Sequence, residues 1–409
     1  MGNWLRRLRL HVDTLGYSSQ QKKILAGGVL AFTLAYVGRL NLSAALPRLS
    51  AHFALTGAQS GLFQTAFAVV YAAGQLVNGV IADRVNPRRH ILCGLFFSAA
   101  CNLLMGALNS VWLLSVVWAA NGLAQSMLWA PIVRLLALYF TGRTRVSASF
   151  LLSFTLVAGH FLAWLIAGLM NSLLSYRFSF FVPGAGLMLC VIPVWRLLPG
   201  RVSEEPLRVR EQRKGSMLML MRTGFAWLLL IGVANGFVRD GVMAWGPYVL
   251  SEGGQSFSAS LIIPVLNLFG LLLGRAAFRL MHGRGRQFCL AMFALSALLS
   301  LTLAPARGLW LLAFLLGTVC ALMYGVNPVL TTLFPLEYDR LGMVGLTAGL
   351  LDSAIYVGSA LAGVLGGAIE GAAGYAGLYM SWAAAGALGV GFCAAALRGR
   401  REPGASAEG

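Results

Sequence analysis

Apolar runs of roughly 18 or more residues recur along almost the whole chain, each long enough to cross a hydrocarbon layer about 30 Å thick. That repetition constrains the fold more than any other feature. Inside a bilayer every backbone N–H and C=O must find a partner within the protein, so only helices and closed barrels can span it. These runs are long and continuous rather than alternating, which selects the helix. Of the 409 residues, 58% are hydrophobic and only 11% charged. With a mean hydropathy of +0.76, a soluble chain of this length could not bury so much apolar surface. The expectation is an all-α polytopic membrane protein with about twelve spans, near 24–48, 58–81, 90–109, 111–139, 146–170, 178–198, 224–249, 259–281, 287–305, 309–333, 343–369 and 374–397.

The net charge of +18 is not spread as a nucleic-acid binder would spread it. Most Lys and Arg fall in short connectors on one side of the spans, including Arg84, Arg88, Arg89, Arg143, Arg145, Arg284 and Arg286, while Arg48, Arg177 and Arg307 fall on the other. The positive-inside rule then puts both termini in the cytoplasm of a cell with this protein in its inner (plasma) membrane. The longest polar interruption, 200–222, lies between spans six and seven. It divides the chain into 1–199 and 223–409, two bundles of six helices joined by a cytoplasmic linker whose cations suit topology and anionic lipid. The N-terminal 23 residues lack the pattern of a cleavable signal peptide. The six cysteines sit in apolar runs without metal-ligand spacing, so no metal, cofactor or disulfide is expected. The expected partners are lipid and a small solute, with the chain acting as a monomer.

The connector between spans two and three reads "GVIADRVNPRR", Gly79 to Arg89. Gly79 permits close helix approach, and Asp83 can meet a helix N-terminus or a cation of the other bundle. Arg84, Arg88 and Arg89 would hold the loop at the lipid surface. Arg134, at the inner end of span four, would brace the same gate. The loop resembles the signature of the major facilitator superfamily, whose plan is two six-helix bundles rocking about a central site. Its counterpart in the second half, "GRAAFRLMHGRGR", keeps the glycine and cations but has no acid. Arg275 within it is expected to snorkel or to pair with a carboxylate.

A narrower resemblance follows from "YVGRLNLSAALP" in span one, "FVRDGVMAWGPYVL" in span seven, "YGVNPVLTTLFPLE" and "AGLLDSAIYVGSALAG". They are similar to the organophosphate:phosphate antiporter family, which includes glycerol-3-phosphate and hexose-6-phosphate transporters. The resemblance implies that Arg39 and Arg239 bind a phosphoryl group and that Tyr71, Tyr324 and Tyr356 line the cavity; Tyr36 lies one turn before Arg39. Gln75 and Thr155 stand where the glycerol-phosphate branch carries a lysine and a histidine, and Leu40 replaces a second lysine. The site is therefore less cationic than that branch.

The residues themselves argue for the same pair. A guanidinium in mid-span costs roughly 2.5–3.5 kcal/mol on insertion scales. Arg39 and Arg239 occupy the first span of each half, so pseudo-twofold packing brings them to one cavity, where a dianion with several acceptor oxygens relieves their repulsion. The competing reading is permanent neutralisation, for instance of Arg239 by Asp240 or Asp352. Asp240, adjacent on the helix and about 100° round from Arg239, is not expected to pair with it closely. Three readings remain for Asp240 and Asp352: partners of the arginines, a protonation site, or a counter-charge for a substrate amine. The expectation is a secondary transporter of a small organophosphate or phosphonate anion, working by phosphate exchange or proton symport. The alternatives are a proton-coupled carboxylate symporter and a non-transporting receptor of the same fold. No catalytic constellation suggests an enzyme.

Overall fold

In the computed structural model, which describes residues 16–55, 57–200, 217–251 and 262–398, each of the apolar runs is helical. The first six spans are α1 (Ser19–Phe53), α2 (Gly57–Ala82), α3 (Pro87–Ala107), α4 (Val111–Ser126) continued by α5 (Trp129–Tyr139), α6 (Gly142–Leu173) and α7 (Phe178–Leu197). A short helix, α8 (Met217–Arg222), precedes the rest. These are α9 (Phe225–Ser251), α10 (Ile262–Leu280), α11 (Gly285–Leu301), α12 (Leu309–Pro328) with its extension α13 (Phe334–Glu337), and α14 (Val344–Arg398). The linker expected over 200–222 lies mostly outside the described residues.

Local chemistry sets the boundaries. α1 starts before the apolar run because Ser18 and Gln21 form a capping box, each side chain accepting from the other's backbone N–H. Asn86 caps α3 and Pro87 occupies its first position. Span four breaks between α4 and α5 because Pro131 has no N–H to offer the carbonyl of Met127. A π-helical turn over Val329–Leu333 separates α12 from α13. α14 runs for 55 residues but is divided at Gly374, whose φ of 61° and ψ of −162° suit a residue without Cβ. It supplies the last two spans.

The two sets of six repeat one packing scheme. α1 lies on α6 as α9 lies on α14; α2 lies on α4 as α10 lies on α12; α3 lies on α7 as α11 lies on the end of α14. Between the sets, α14 meets α2 and α5, and α10 meets α6. Glycines let the α2–α14 seam close: a Cβ on Gly79 would sit 2.9 Å from the Gly345 carbonyl oxygen. On the outside, Phe97, Phe161, Leu189, Leu273 and Val364 are exposed, an apolar surface that a bilayer covers.

Candidate functional site

Arg39 is held in place by amides on the neighbouring helices. Asn102 and Asn121 donate to the Gly38 carbonyl at 2.9 and 3.1 Å, and Gln125 donates to that of Ala35 at 2.9 Å. Asn41 in turn donates to Asn102 and to the Ser179 carbonyl, both at 2.9 Å. α1 is therefore pinned on both sides of the arginine by α3, α4 and α7. The guanidinium itself sits among aromatic rings, its carbon 4.2 Å from the centroid of Tyr71 and 4.7 Å from those of Phe67 and Tyr356, with Tyr36 at 5.9 Å. Such faces stabilise a cation without neutralising it. Nη2 is buried and has no hydrogen-bond partner among the described residues.

Arg239 is served differently. Its Nε and Nη2 donate to both carboxylate oxygens of Asp240 at 2.7 and 2.9 Å, and Nη1 donates to Asn327 Oδ1 at 2.5 Å. This corrects the expectation that neighbours 100° apart on a helix cannot pair closely. The arginine stem is long enough to fold back round the helix, and the fork then meets the short carboxylate edge-on. Tyr324 lies beneath the guanidinium, 5.6 Å from ring centroid to carbon.

Between these groups lies a small cavity of about 20 Å³, room for a water molecule. Arg239, Tyr36, Tyr71, Thr155, Asp352 and Tyr356 all line it. Arg39 stands one layer back, behind the tyrosines it touches, and Gln75 and Tyr324 are also outside the lining. Thr155 donates its hydroxyl to the Leu152 carbonyl at 2.6 Å. Asp352 joins the halves: its Oδ2 accepts from Tyr71 Oη at 3.0 Å and from Gln75 Nε2 at 2.7 Å. Among the described residues neither Arg39 nor Asp352 makes an ion pair within 4.0 Å. Sequence reasoning missed Phe67, Asn327 and Trp129. Asn327 is the one amide side chain in the apolar run of α12, which is a weak signal; the ring contacts of Phe67 carry none.

At the basic end the two sets of helices are joined. Asp83 Oδ1 accepts from the Gly345 N–H at 2.7 Å and Oδ2 from that of Leu346 at 2.9 Å, at the start of α14. Burial pushes the Asp83 carboxyl above the usual carboxylate range, against the pull of these two N–H donors, Arg134 and Arg84. Arg134 donates to the carbonyls of Ala82 and Val85 at 2.5 and 2.8 Å, bracing the turn that carries Asp83. Trp129 Nε1 donates across the halves to the Thr331 carbonyl at 3.0 Å, an oxygen that Pro335, four residues on, has no N–H to satisfy. Arg145 lies 3.6 Å from Asp339. Arg275, expected to snorkel or to pair with a carboxylate, donates to Ser147 Oγ at 2.7 Å and forms no ion pair within 4.0 Å among the described residues. Arg88 stacks on the exposed Trp195 of its own half at 4.8 Å, while Arg84 and Arg89 are exposed. Among the described residues no cluster of His, Cys, Asp or Glu could hold a metal ion.

A family model described as Major Facilitator Superfamily matches residues 28–344. The membrane sensor protein UhpC of Salmonella typhimurium is 26% identical over 392 residues, covering 85% of each chain. The glycerol-3-phosphate transporter of Bacillus subtilis is 23% identical over 261 residues, 58% of this chain and 59% of that one. A crystal structure of the Escherichia coli fucose:proton symporter FucP superposes with a TM-score of 0.69 at 16% identity, covering 91% of this chain and 98% of that one. This last likeness is one of fold.

Proposed function

Since the chain belongs to the Major Facilitator Superfamily, we propose that it is a secondary transporter of a small phosphorylated or phosphonate anion. The observation that carries this reading is Arg39: a buried guanidinium nitrogen without a partner, packed on tyrosines whose other side forms the cavity that Arg239 lines. A buried donor left unpaired costs about 1–3 kcal/mol, and an incoming phosphoryl oxygen removes that cost. Another oxygen can replace the neutral Asn327 at Arg239 Nη1. A phosphoryl group suits this arrangement because its oxygens accept charge-assisted bonds from two forks at once. The likeness to a glycerol-3-phosphate transporter supports the same substrate class.

The cavity as it stands is far smaller than such a solute, so binding requires the halves to part. In the proposed cycle the Asp83, Trp129 and Arg134 contacts hold the basic end shut while the solute enters from the opposite side. Closure over the bound anion then strains and releases them. The basic end is the cytoplasmic face of the inner membrane, on the distribution of cations. The return leg carries inorganic phosphate or a proton. Proteoliposomes loaded with phosphate, or given a pH gradient, separate the two. The likeness to a membrane sensor over 85% of each chain favours a second reading, in which the same site senses an organophosphate without moving it; flux in those proteoliposomes excludes it.

The binding reading is tested with Arg39→Lys and Arg239→Lys. A compact ammonium cannot reproduce the planar fork, so each variant should insert normally and lose thermal stabilisation by organophosphates. Near-normal stabilisation in both would overturn the two-arginine site.

A further inference from the structure

The charged side chains at the cavity constrain its ligand more closely than the two arginines alone. Four lie at it or just behind it: Arg239 and Asp352 on its wall, Arg39 one layer back, and Asp240 on Arg239. Arg239 and Asp240 are locked in a bidentate pair and cancel. What remains is one cation and one anion that form no ion pair within 4.0 Å among the described residues, on different halves and bridged by a phenol: Arg39 packs on the Tyr71 ring and Tyr71 Oη donates to Asp352. His160, stacked on Tyr36, has its Nδ1 2.8 Å from the Leu156 carbonyl. A carbonyl oxygen can only accept, so Nδ1 carries a proton, and the neutral tautomer is enough to make that bond.

With all four ionised the site is neutral. A simple dianion entering it would leave net negative charge sealed beside the carboxylate of Asp352, which is costly in a medium that screens poorly. Asp352 is buried with only neutral donors, a phenol and an amide. An ammonium would offer it a full opposite charge, an attraction that a phenol and an amide lack and that a poorly screening medium strengthens. We propose that the preferred ligand is a zwitterion, with a phosphoryl or phosphonyl head for Arg39 and Arg239 and a protonated amine for Asp352. This rests on the phosphoryl-binding reading above and specifies the rest of the molecule. It also gives Asp352 a place in the cycle: an amine that takes its carboxylate displaces Tyr71 and Gln75, loosening the α2–α14 seam from within.

The test measures binding to the purified full chain by calorimetry, using 2-aminoethylphosphonate, ethylphosphonate and N-acetyl-2-aminoethylphosphonate. The charged amine should bind about tenfold tighter or more than both neutral analogues, and Asp352→Asn should erase that preference. The wild-type series decides by itself if the variant fails to fold. Equal or tighter binding of ethylphosphonate overturns the zwitterion and leaves phosphonyl binding intact. So does ethylphosphonate affinity that climbs on acidification until it matches the amine, which would make Asp352 a proton site. Binding of none of the three overturns both readings.

Discussion

Replacing Asp83 by alanine should open the basic end. Its carboxylate accepts two backbone N–H groups at 2.7 and 2.9 Å, and it meets the positive end of α14. Hydrogen bonds to a charged group contribute about 1.5–3 kcal/mol each, and the helix dipole about 0.3–1 kcal/mol more. Against this stands the desolvation that raises the carboxyl's pKa, so the net loss is nearer 2–4 kcal/mol than the sum. At 1.4 kcal/mol per factor of ten, that moves the closed-to-open ratio by about 30-fold to several-hundred-fold. Asp83→Asn keeps an acceptor oxygen and loses the charge, and should show less than half the effect. Spin labels on cysteines introduced at the exposed Arg143 and Gln287, one in each half, report the separation by pulsed dipolar spectroscopy. Cys93, the exposed native cysteine, is removed first. Superimposable distance distributions for Asp83→Ala and the parent, or a larger effect from asparagine than from alanine, would refute the reasoning.

Three further outcomes follow from the same contacts. Because burial raises the pKa of the latched Asp83 carboxyl, the latched form binds a proton more tightly than an open one. The proton-linked part of closure is full below the ordinary carboxylate pKa and fades as pH rises through the raised value, while the two N–H bonds to the carboxylate remain. The label distances should report more closed protein on acidification, and Asp83→Asn should remove the dependence. Gly349→Ala places a Cβ against the Gln75 carbonyl oxygen and 3.0 Å from Gly79 Cα. Backbone cannot swing aside as a side chain can, so the same labels should shift toward open with no loss of helix by circular dichroism. Asp240→Asn removes half of a buried pair, a change that costs about 3–5 kcal/mol. Its melting temperature should fall, and millimolar inorganic phosphate should restore more stability to it than to the parent.

The twelve spans, the glycine-rich loop with Asp83 and the arginines of spans one and seven were legible along the chain. Each follows from a local property: span length against bilayer thickness, the insertion cost of a charge, or a motif within eleven residues. Span limits shifted where capping overrode hydropathy, as at Ser18, and where proline interrupted the backbone ladder, as at Pro131. Tertiary structure decided how the charges are matched. Arg239 folding back on Asp240, Asp352 reaching Tyr71 and Gln75 on the other half, and Phe67 closing the wall round Arg39 are relations between surfaces brought together from distant parts of the chain. A linear reading finds a buried charge by its cost alone. The partner that offsets that cost depends on rotamer and helix rotation, which are set only once the helices pack.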